Sequence, residues 1–86
     1  MGYNYKEQRP RLFTEEGMQL FLKVRDRATK LLNEAGAIKF WPAVSTIQGQ
    51  DWDKRACLDY MVELAEIREI QQERPAGQDR IFVSNR

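Results

Sequence analysis

Side chains able to do chemistry are few in this 86-residue sequence, and almost all of them are charged. There is no histidine, and Cys57 is the single cysteine. Neither a metal-ligand set nor a nucleophile beside its usual base can be assembled from that stock. The five glycines are scattered, so no phosphate-cradling loop is present. These absences argue against an enzyme and imply no cofactor. What remains is the chemistry of arginine, lysine and carboxylate, which is ion pairing or anion contact. Arg55 stands one helical turn from both Asp51 and Asp59, a spacing that suits a surface pair. Arg74 and Arg80 sit where they can face Glu69 or Glu73 across a turn.

The net charge of +1 hides an uneven distribution. Residues 51–67 carry five carboxylates against two cations, whereas residues 1–13 carry three cations against one carboxylate. An acidic segment sits poorly with nucleic-acid contact, which normally leaves a basic face. The proportions of apolar (42%) and charged (31%) residues are those of an ordinary globular chain, neither disordered nor membranous. No apolar run approaches the roughly 20 residues of a membrane span, no leader-like stretch opens the sequence, and the expected location is cytoplasmic. A lone cysteine forms no internal disulfide. So short a chain buries only about 60% of its unfolded surface, which leaves room for one core.

The elements that must position these charges follow from apolar spacing. Residues 1–13, polar and interrupted by Pro10, have neither helical nor strand period and read as an N-terminal arm. Thr14 is a good N-cap, with Glu15 and Glu16 suited to the positive end of a helix dipole and Phe13 able to staple onto Met18. Met18, Phe21, Val24, Ala28, Leu31, Leu32 and Ala35 then recur at helical intervals before a stop at Gly36. Ala37 to Phe40 reads as a minimal strand. A short helix follows from about Pro42 to Ile47, ended by Gly49. Asp51 is the expected N-cap of a second long helix, whose core stripe is Cys57, Tyr60, Met61, Leu64 and Ile67. On that stripe Cys57 is an inert buried thiol. Arg80-Ile81-Phe82-Val83 is strand-like, and Arg74-Pro75-Ala76-Gly77 fits a type I turn, so a hairpin spans Ile67 to Val83.

This order of helix, short strand, short helix, long helix and hairpin resembles the winged helix-turn-helix superfamily. The likeness is carried most closely by Leu58-Asp59-Tyr60-Met61-Val62-Glu63-Leu64-Ala65-Glu66-Ile67-Arg68-Glu69-Ile70 and by Asp79-Arg80-Ile81-Phe82-Val83. Many members end the last helix in a Leu-x-x-Leu-x-x-x-Gly-x-Ile segment, and Ala65 replaces the small residue often found there as Gly. The resemblance implies an α+β fold, a small winged helix of three helices with a C-terminal β-hairpin wing. It covers residues 14–84, with 1–13 as the arm and 85–86 as a tail.

It also implies contact with double-stranded DNA, as in a transcriptional regulator or accessory factor. In that family the last helix enters the major groove and the short helix and wing hold phosphate. Gln50, Lys54 and Arg55 are then the candidates at the start of the recognition helix, with Arg55 pointing outward to address guanine. Lys39, Ser45 and Thr46 would bind phosphate near the start of the short helix; Arg74, Gln78 and Arg80 would serve the wing; Arg9 and Arg11 would let the arm follow the backbone. The competing reading is a protein-interaction module or homodimer on the same fold. Trp52, Leu58 and Val62, with Tyr3 and Tyr5 of the arm, would then form an apolar partner patch.

Overall fold

The computed structural model describes residues 2–70 and 80–85. Among the described residues, four α-helices accompany a three-stranded antiparallel sheet. The order is α1 (Tyr5–Gln8), a 3-10 segment (Arg9–Phe13), α2 (Glu15–Ala35), β1 (Ala37–Lys39), α3 (Phe40–Val44), α4 (Asp51–Glu63), β2 (Ile67–Glu69) and β3 (Ile81–Ser84). α2, α3 and α4 pack against the edge strands of the sheet. The expected α+β class and the antiparallel pairing of the hairpin strands are both present. β3 lies between β1 and β2, with Phe82 opposite Ile38 on one side and Glu69 on the other.

The ends of α2 obey local chemistry. Thr14 accepts the Gly17 N–H at 3.0 Å as N-cap, and Gly36 closes the helix in the left-handed region at φ 79°. Phe21, Val24, Ala28 and Leu32 of α2 are buried. They meet Ile38, Phe40, Val44, Leu58, Met61, Ile67 and Phe82 in the single core.

Four expectations change. Residues 5–13 are helical rather than an irregular arm, and Leu12 within them is buried. Their polarity disguised a segment anchored by buried Leu12 and by Tyr5, half-buried against the core. α3 begins at Phe40 and ends at Val44, so Pro42 is its third residue, still within the first turn where a missing N–H costs nothing. Gln50, not Asp51, is the N-cap of α4, and Asp51 and Asp53 occupy its first turn. α4 stops at Glu63, and Leu64, assigned to the core stripe, is 45% exposed because the helical period ends there.

That ending is a Schellman motif, in which Glu66 N–H reaches the Met61 carbonyl at 3.0 Å and Ala65 N–H reaches Val62 at 2.9 Å. The motif requires a left-handed residue, and Ala65 supplies it at φ 60°. Asn85, assigned to the tail, ties back to this turn by donating its side-chain amide to the Ala65 carbonyl at 3.0 Å.

Gly17 allows the N-terminal segment its close approach. A Cβ there would lie 2.0 Å from the Arg11 carbonyl oxygen and 2.9 Å from Leu12 Cα, both backbone atoms that cannot rotate away. Glycine to alanine inside a helix ordinarily stabilises by about 1 kcal/mol. Here the sign reverses: Gly17→Ala is expected to lower stability by about 2 kcal/mol through overpacking. Ala65→Gly, which relieves a left-handed alanine, is expected to raise it by about 0.5–1 kcal/mol. Denaturant midpoints of the two variants should therefore move in opposite directions.

Candidate functional site

The charged side chains gather on α4, where three carboxylates receive partners from distant parts of the chain. Asp59 and Glu69 together hold Arg80, whose Nη2 lies 2.6 Å from Asp59 Oδ1 and 2.8 Å from Glu69 Oε1, while its Nε donates to Glu69 Oε2 at 2.9 Å. The side chains of Arg80 and Asp59 are each only 15% exposed, which places this pair well above an ordinary surface bridge. Burial alone would lower the Arg80 pKa; the hydrogen bonds it donates to Glu69 and Asp59 outweigh that and hold the guanidinium charged. Arg80 also lies 5.1 Å from the Phe82 ring, and its carbonyl accepts the Phe40 N–H.

The N-terminal segment supplies the remaining contacts. Tyr3 donates its hydroxyl to Asp59 at 2.5 Å and Tyr5 donates to Glu63 at 2.9 Å. Arg9 forks onto Glu63 at 2.8 and 2.6 Å, and Arg11 onto Asp53 at 2.9 and 3.3 Å. Arg9 and Arg11 are 42% and 61% exposed, so solvent screens both pairs strongly. The buried Leu12 and the Gly17 approach hold the segment more firmly than its salt bridges do. Phe13, expected to staple onto Met18, stacks edge-on to Tyr60 at 5.5 Å, and Arg9 lies over both rings.

Several residues expected to contact DNA are therefore used elsewhere. Arg9, Arg11 and Arg80 are internally paired. Lys54 is buried at 5% exposure, its stem lying beside Gly49. Arg55 does not project outward to pair with Asp51 or Asp59. It is half-buried, with its guanidinium 5.1 Å from the Phe40 ring and its Nε without a partner among the described residues. Ser45 and Thr46 follow α3 instead of opening it, at the end where the helix dipole repels phosphate. Lys39 and Gln50 are exposed, at the N-caps of α3 and α4. Arg74 and Gln78 lie outside the described residues.

The expected apolar patch is also redistributed. Leu58 is fully buried and Val62 is half-buried against the core, because α2, the sheet and the N-terminal segment enclose α4 on three sides. Trp52 remains 39% exposed, edge-on to Tyr3 at 6.4 Å. Burial pushes the Cys57 thiol up to about 12, with Asp53 adding to the shift, so it is no nucleophile at neutral pH.

What the sequence reading missed is the docking of the N-terminal segment itself. The available signal was charge complementarity, a segment of net +2 against a helix segment of net −3. Comparison of the chain with protein-family models, with curated proteins and with solved structures finds no match.

Glu63 makes this docking pH-dependent. The Arg9 hydrogen bond, followed by that of Tyr5, lowers its carboxyl from the ordinary 4.5 to about 2. A depressed carboxyl stabilises the folded form above the unfolded pKa and loses that contribution as pH falls through the folded one. Docking should weaken between about pH 4.5 and 2. Trp52 fluorescence, which senses Tyr3, should follow this loss, and Glu63→Gln should remove the part of it that titrates in that window.

Proposed function

We propose that this chain is a winged-helix domain that acts as a protein-interaction module. The winged-helix reading is supported by the placement of β2 and β3 directly after the longest C-terminal helix and by the sheet order β1-β3-β2. The interaction reading rests on one observation: the outward side of α4, which a DNA-reading domain lays in the major groove, is occupied by the chain's own residues 3–11.

Charge arithmetic points the same way. Of the cations expected to hold phosphate, only Lys39 and Arg55 lack a carboxylate partner and escape burial among the described residues. Each neutralised phosphate contributes about −0.9 to the salt slope, so two cations give a slope near −2, against about −6 to −10 for a well-anchored protein. Asp51 and Asp53 in the first turn of α4 further repel phosphate from the helix end that would otherwise attract it.

DNA contact is the second reading, favoured by the unpartnered Arg55 Nε and by the exposed Lys39 at the N-cap of α3. A fluorescence titration with mixed-sequence duplex at about 50 and 200 mM salt separates the two. Affinity weaker than about 100 μM, unchanged in Arg55→Ala and Lys39→Ala, is expected for the interaction module. Sub-micromolar binding with a slope of about −6 or steeper, lost in Arg55→Ala, would establish the DNA reading instead.

A further inference from the structure

We infer that the outer face of the three-stranded sheet is the docking surface, and that its ligand is an amphipathic helix of a partner protein flanked by carboxylates. The inference rests on the protein-interaction reading and names its surface and partner chemistry.

Strand alternation separates the two faces. Ile38 and Phe82 point inward and are buried, which turns Ala37, Lys39, Ile81, Val83 and Arg68 to the other side. Register aligns Ala37, Val83 and Arg68 in one row across the sheet and pairs Lys39 with Ile81 in the next. A solvated face of an antiparallel sheet normally carries polar residues. The central strand here presents two β-branched apolar residues instead, and Ile70, just beyond β2, is 38% exposed.

Among the described residues, the free charges on this face have one sign. Lys39 stands on one edge strand and Arg68 on the other; both are exposed, and neither is in an ion pair among the described residues. Glu69 is committed to Arg80. Edge strands of a three-stranded sheet lie roughly 10 Å apart, close to the width of one helix with its side chains. A helix lying along β3 would bury its apolar stripe on Ile81 and Val83 and set carboxylates on its flanks against Lys39 and Arg68.

Other occupants fit less well. A second copy pairing through this face would oppose Lys39 and Arg68 to the same cations. A nucleic-acid backbone would meet two cations among the described residues and would gain nothing from Ile81 and Val83.

The test is an NMR titration of the full ¹⁵N-labelled chain with two synthetic 18-residue helical peptides sharing a leucine stripe, one flanked by glutamates and one by lysines. A mixed-sequence duplex is the third ligand. The glutamate peptide is expected to shift the amides of Lys39, Arg68, Ile81 and Val83. Its Kd should rise about tenfold in the K39E/R68E double variant, the size of two surface ion pairs. The lysine peptide should then prefer that variant over the native chain. Both substitutions fall on exposed side chains, and unchanged amide dispersion would show that the fold is retained. No shift on this face, or equal affinity of the glutamate peptide for both proteins, overturns the inference. Peptide shifts confined to other surfaces overturn it while leaving the protein-interaction reading standing, whereas tight duplex binding overturns both.

Discussion

The guanidinium of Arg80 is the point on which the architecture turns. It enters β3 between two carboxylates, Asp59 from α4 and Glu69 from β2, and satisfies both with directed hydrogen bonds. Its carbonyl anchors the start of α3, and Tyr3 of the N-terminal segment shares its partner Asp59. Five parts of the chain therefore meet around this residue, through its side chain, its backbone carbonyl and its partner Asp59. Drawing these charges partly out of water has a cost that pairing must offset, so removing one partner leaves the other charge part-buried and uncompensated.

The acidity of α4 acquires its meaning from this arrangement. Its carboxylates recruit Tyr3, Tyr5, Arg9 and Arg11 from the beginning of the chain and Arg80 from near its end. A helix whose sequence suggested an external partner is thus partnered from within. The apolar side chains facing outward on the sheet, together with Lys39 and Arg68, are left as a surface without such compensation among the described residues.

Much of the fold was readable because its signals are local. The Thr14 cap, the Gly36 stop, the stripe of Phe21, Val24, Ala28 and Leu32, and the antiparallel return of Ile81 to Val83 each depend on residues within one or two turns or one strand pairing. Even Ala65, marked as standing where Gly is often found, proved to hold a left-handed backbone. The errors share another cause. A helical projection assumes one buried face and so puts Leu58 and Lys54 outside the core, whereas both are buried because α2, the sheet and the N-terminal segment all pack on α4.

Apart from the helical turns of residues 5–13, element types, their order and the existence of one core follow from the sequence, since periodicity, caps and turn residues act over a few positions. Which charges stay available to a partner does not follow from it. Tyr3 and Asp59 are 56 positions apart, and Arg9 and Glu63 are 54 apart. No local pattern records such a meeting. Only the folded chain, with Gly17 admitting the Arg11 backbone and Leu12 reaching the core, brings those groups together and turns candidate contacts with a partner into internal pairs.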